Sequence, residues 1–221
     1  EEYKKIIKIY PDEINPNYNL GLIYDEINDN KNAIKYYTKE IELDPEDPFA
    51  YITRGLVHQR IENYDNALDD FDKAIILDPE DRNNYYYKIN LLKVIGDLKS
   101  AYNLTNETIE MDIDDPQGYY VLAELFYNDG EVIDALENII ISRSKIERDR
   151  NYYITNIDGT MKELYELYFF QSDIAKKLNL DELYCESMIE ASLLFENSDN
   201  KYDEEKYIEK LDIFNKNSLC Q

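Results

Sequence analysis

PFAYITRGLVHQRIENYDNALDDFDKAIILDPED, residues 48–81, is the stretch on which the fold turns. Its apolar residues fall in two runs at helical spacing, separated by a short polar turn, and it closes on a Leu-Asp-Pro-Glu-Asp turn ending at Asp81. Helical periodicity on both sides of a turn predicts a helical hairpin. Ala67 and Ala74 let the second helix approach the first, Gly55 permits a close crossing, and His58 is large enough to fill space between units. Pro48 suits the first turn of a helix, where a missing N–H costs nothing, and Asp44, Asp47, Asp78 and Asp81 offer carboxylates for capping or turn formation.

Outward from this stretch the same pattern recurs. Ala33, Ala67, Ala101 and Ala135 are spaced by 34 residues in a chain with only nine alanines, which chance does not produce. Pro11, Pro45 and Pro79 keep the step, as do Tyr51, Tyr85 and Tyr119, the glycine pairs Gly21/Gly55 and Gly96/Gly130, and Asp44, Asp78 and Asp112. His58 occupies the place held by Tyr24, Leu92 and Phe126 in other units and reads as core filler. Units are expected at 14–47, 48–81, 82–115 and 116–149. Residues 1–13 read as the second helix of a unit opened midway.

The 34-residue unit with Tyr51, Gly55, His58, Ala67, Phe71, Ala74 and Pro79 resembles the tetratricopeptide repeat, with Tyr51 in place of the family's Trp and His58 in place of its Tyr. Later units drift: Ile89, Thr105 and Thr108 replace pattern residues in the third, and Ile139 and Ser142 in the fourth. After residue 149 the register breaks, and Tyr168, Ser172, Ala175, Tyr184, Met188 and Ala191 restore it in a degenerate unit at 165–198. The insertion between, 150–164, includes Tyr152 and Tyr153 and either extends the flanking helices or projects as a loop. Residues 199–221, with Tyr207, Ile208, Leu211 and Phe214 on one helical face, are expected to form a capping helix and tail. The resemblance implies an all-α, right-handed superhelical solenoid of helix-turn-helix repeats.

Composition narrows the function. With 48 Asp and Glu against 24 Lys and Arg the net charge is −24, and no cluster of five basic residues occurs, so no nucleic-acid binding is expected. No apolar run approaches the roughly 18 residues of a membrane span, so no membrane partner is expected either. One His and two Cys cannot build a metal cage or a nucleophile pair, and neither a phosphate-binding glycine loop nor an His-Glu-x-x-His helix is present. Neither an enzyme nor a metal or cofactor is expected. Cys185 and Cys220 are too few for a disulfide framework, which points to a reducing compartment and a cytoplasmic setting.

In the tetratricopeptide family the first helix of each unit lines the concave face and receives an extended peptide or a helix. Carried onto this chain, that geometry places Tyr18, Asn19 and Leu22 on the face from the first unit and Phe49, Ile52 and Leu56 from the second. The third supplies Tyr86, Tyr87 and Asn90, the fourth Tyr120, and the fifth Phe169 and Phe170. Such a Tyr, Phe and Asn lining combines rigid apolar area with hydrogen-bonding tips, as binding hot spots do. The chaperone carboxylate clamp is not expected, because its Lys, Asn and Arg places hold Tyr18, Leu22, Thr53, Asn83 and Tyr87. Starting one unit later they hold Ile52, Leu56, Tyr87, Gln117 and Val121. The expectation is a scaffold holding a protein or peptide in the groove, with self-association into dimers or larger assemblies through terminal repeats as the alternative.

Overall fold

A computed structural model of the chain describes residues 16–148, 154–155, 161–162, 164–196, 204–215 and 220, which divide into two compact units meeting at Leu104 and Thr105. The first holds α1 (Pro16–Glu26), α2 (Asn30–Leu43), α3 (Pro48–Arg60), α4 (Tyr64–Leu77) and α5 (Arg82–Ile95), and α6 (Leu98–Met111) carries the boundary. Within it α1 packs on α2, α2 on α3, α3 on α4, and α4 on α5. The second holds α7 (Pro116–Asp129), α8 (Val132–Arg148), β1 (Ile154–Thr155), β2 (Met161–Lys162), α9 (Leu164–Lys177), α10 (Asp181–Glu196) and α11 (Glu204–Asn215), with each helix from α7 to α11 packed on the next. Each unit is built of the expected packed helical hairpins. The first 15 residues, and with them the reading of 1–13 as a lone second helix, lie outside the described residues.

The same local chemistry recurs at the start of three hairpins and at the inner turn of five. Asp47, Asp81 and Asp115 stand 34 residues apart, and each side chain accepts from the backbone N–H two residues on, Phe49, Asn83 and Gln117, at 3.0 Å. At the turn between helices, Asn28, Glu62, Gly96, Gly130 and Asn179 all have positive φ, and the N–H following each donates back to a carbonyl of the preceding helix, as from Asp29 to Tyr24 and from Leu180 to Ala175. The step from Gly130 to Asn179 exceeds the repeat by fifteen residues. Glu62, at φ 60°, is the one residue of the five with a long side chain and no turn preference. A left-handed L-residue costs about 1–2 kcal/mol. Glu62→Gly is therefore expected to raise the unfolding free energy by about 1 kcal/mol, read as a higher urea midpoint at unchanged slope; a lower midpoint contradicts the turn.

Size decides the packing between helices. Ala33, Ala67, Ala101 and Ala135 are all fully buried, as are the rings of Tyr37 and Phe71. A Cβ on Gly21 would lie 2.4 Å from Tyr37 Cε1 and one on Gly55 2.7 Å from Phe71 Cε1, so each glycine is the floor on which the next helix's ring rests. Tyr51 and Tyr85 donate their hydroxyls to the carbonyls of Pro45 and Pro79, at 3.3 and 3.1 Å, tying each hairpin to the turn before it. His58 is only half-buried, its Nδ1 3.3 Å from Asn63 Nδ2, and burial pushes its pKa down.

Two findings in the second unit add to the expectations. Within the inserted segment, the described residues form β1 and β2, which pair antiparallel, Ile154 with Lys162 and Thr155 with Met161. Tyr152 and Tyr153 lie outside the described residues. The two cysteines do form a cross-link, Cys185 to Cys220, with Cα atoms 5.5 Å apart. This removes the cysteine count as a ground for a reducing compartment. Among the capping residues named from sequence, Tyr207 is buried against Tyr165, Phe169, Tyr184 and Phe195, with Leu211 and Phe214 partly buried beside it.

Candidate functional site

Three first helices of the first unit, α1, α3 and α5, bring one face together. Its floor is Tyr18, Thr53 and Tyr87, one residue from each helix, with Thr53 and Tyr87 both near enough to the Tyr18 phenol to influence its ionisation. Tyr18 packs 5.8 Å from Tyr37, and Tyr87 stacks on Phe71 at 6.0 Å. Burial, with Asp47 near Tyr18 and Asp81 near Tyr87, pushes both phenols above their ordinary pKa, so both stay neutral hydrogen-bonding groups.

One helical turn further along stand Leu22, Leu56 and Asn90, and one turn earlier stand Phe49 and Asn83. Leu22 is 37% exposed and Phe49 64% exposed, while Asn19, Leu56, Tyr87 and Asn90 are partly open. At the far end Glu26, Arg60 and Val94 are exposed. Arg60 is held in place by Asp25 and by two bonds to Asn30 Oδ1, at 3.1 and 2.8 Å.

Four residues expected on the ligand face are buried instead: Ile52 at 5% exposure, Tyr86 at 7%, Tyr120 at 8% and Phe169 at 1%. They share one repeat position, and that position serves packing. Ile52 belongs to the cluster containing Leu91 and Tyr87, Tyr120 meets Phe170 edge-on at 5.9 Å, and Phe169 lies under Tyr207. Phe170 is itself partly covered, meeting Tyr127 edge-on at 5.4 Å. The face left open to a ligand is thus made mainly of Asn19, Leu22, Phe49, Leu56, Tyr87 and Asn90 over the floor of Tyr18.

Two features escaped the sequence reading. Arg54 holds Asp70 through two bonds, Nε to Oδ2 at 3.0 Å and Nη2 to Oδ1 at 2.6 Å, and reaches Thr38 Oγ1 at 3.1 Å, so it joins α3 to α4 and to α2. In the second unit a cavity of about 400 Å³ among α8, α9 and α10 is lined by Arg143, Tyr168, Gln171, Glu186, Ser187 and Glu190 with apolar neighbours. Arg143 lies over the Tyr168 ring at 4.5 Å. Arg143 stands where Ile41, Ile75 and Ile109 recur at the 34-residue step, a break in pattern that would have marked the place.

Comparison with known proteins agrees with the repeat fold. Tetratricopeptide repeat models match residues 14–47 and 48–81. No curated protein matches the chain by sequence. Among solved structures, YrrB, described as a tetratricopeptide-repeat protein with an unusual peptide-binding site, superposes with a TM-score of 0.58 at 20% identity, covering 89% of this chain and 94% of that one. MamA from Desulfovibrio magneticus RS-1 gives 0.62 at 16%, covering 83% and 96%. A tetratricopeptide repeat protein from Parabacteroides merdae gives 0.62 at 20%, covering 96% and 74%. At these identities the likeness is one of fold.

Proposed function

We propose that this tetratricopeptide-repeat chain is a protein-interaction scaffold that binds an extended peptide or a helix of a partner along the α1, α3 and α5 face. The observation that carries this is the exposure of Leu22 and Phe49 beside half-open Leu56, Tyr87 and Asn90. An apolar and amide-bearing surface of this kind, on a chain of net charge −24, is what a partner's apolar side chains and backbone would cover. The neutral phenols of Tyr18 and Tyr87 and the amides of Asn19 and Asn90 supply hydrogen-bonding groups for a peptide backbone. A peptide-binding site in a protein of the same fold, YrrB, supports a peptide as ligand. Against self-association through the capping helix stands the burial of Tyr207, with Phe214 partly buried beside it, which turns that helix's aromatic residues inward.

Leu22→Ser with Phe49→Ser leaves the fold intact, since both side chains are exposed and surface changes stay within about 0.5 kcal/mol. Affinity capture with this double variant is expected to lose specific partners at least tenfold relative to the parent chain, at unchanged circular dichroism. Recovery of the same partners at the same level would dispose of the groove.

A further inference from the structure

We infer that the Cys185–Cys220 disulfide is a redox clasp that holds α11 over an aromatic helix-docking seat on α9 and α10, and that reduction opens this seat to a partner helix carrying an aromatic residue followed three positions later by a basic one. The seat is built and occupied within the chain. Tyr207 stacks on Phe169 with ring centroids 4.7 Å apart and planes 13° apart, and meets Tyr165 edge-on at 5.4 Å and 82°. Its hydroxyl donates to Glu166 Oε2 at 3.1 Å. Three residues on, Lys210 Nζ donates to Asp173 Oδ2 at 2.5 Å. Glu166, Phe169 and Asp173 lie one helical turn apart along α9, so a single face of α9 reads an aromatic ring and a cation from one face of α11. That defines the chemistry of any helix able to replace α11, and the acidic pair on the seat matches a basic partner.

The clasp lies at the other end of the same contact. Tyr184, next to Cys185, meets Phe214 of α11 edge-on at 6.2 Å, and Cys220 packs on the cluster that contains both. The pairing closes a span of 35 residues with α11 inside it. A helix of 12 residues is marginal on its own in water, so its hold on the seat depends on tethering at both ends. Both cysteines are partly exposed and within reach of a small reductant. Attack by a dithiol breaks the Sγ–Sγ bond: two electrons and two protons pass to the cysteines, which become thiols, and the dithiol closes to its own disulfide. One tether of α11 is then gone, and undocking bares Phe169, Tyr165 and Phe195. The inference does not depend on the groove of the first unit, which shares no residue with this seat.

The test uses the full chain, oxidised and after dithiothreitol, with a labelled peptide of residues 204–215 as the probe helix. Amide exchange across Tyr165–Asp173 is expected to rise at least tenfold on reduction, and the probe is expected to bind the reduced chain alone. A probe carrying Tyr207→Ala or Lys210→Glu should lose at least tenfold in affinity. Cys185→Ser is expected to behave as reduced protein without any reductant, which separates the clasp from other effects of dithiothreitol. Unchanged exchange on reduction, equal probe binding to both forms, or no binding to the reduced chain would each overturn the inference.

Discussion

Phe71→Ala lowers the unfolding free energy by about 3–5 kcal/mol, the range for deleting a large buried aromatic side chain. The ring is fully buried, rests on Gly55 with no room for even one added carbon, and stacks on Tyr87 from the next hairpin. Its loss therefore empties both the seam inside one hairpin and the seam between two. In a stack where each repeat is stabilised largely by its neighbours, removing both terms at once weakens coupling along the first unit as well as the repeat itself. Urea unfolding followed by circular dichroism should show a lower midpoint and a broader transition. A loss below about 1 kcal/mol would mean that the helices close over the gap, and that the fit of ring to glycine is not what holds the hairpin.

Asp70→Ala comes next, at about 3 kcal/mol. Asp70 is 4% exposed and its carboxylate takes both bonds from Arg54. Truncation strands a guanidinium whose side chain is only 19% exposed, between α3 and α4, with the Thr38 hydroxyl and the Tyr51 ring as its remaining partners. An abandoned buried charge costs more than the pair contributes, so the double variant Arg54→Leu with Asp70→Leu should recover most of the loss. Thermal melts of the single and double variants decide this. A double variant as unstable as Asp70→Ala would show that the ion pair itself, and not the avoidance of an unpaired charge, holds the site.

These two effects sit at different depths of legibility. The glycine, the aromatic ring and the alanines were visible as a recurrence at 34 residues, because packing one hairpin on the next imposes the same size at the same position each time. The left-handed turns were visible where they fell on Gly96 and Gly130, and invisible at Glu62, whose side chain has no preference for that conformation. Arg54 with Asp70 left no periodic trace: the corresponding places in the next repeat are Lys88 and Leu104. The same holds for Arg143, an interruption of an isoleucine series and not an instance of it.

What the sequence determined by itself is the hairpin unit, its period, its caps and its small-to-large packing, all of which arise from contacts within one unit or between adjacent ones. What only the tertiary structure decided is which side of each first helix stays open. Ile52 and Thr53 are neighbours in the chain and differ by about 100° around the helix, and the first is buried against the next hairpin while the second helps to floor the face. The fate of Phe169 and the pairing of Cys185 with Cys220 were likewise settled by where α11 docks. That docking is a single event at the end of the stack, and a periodic pattern carries no information about a contact that occurs only once.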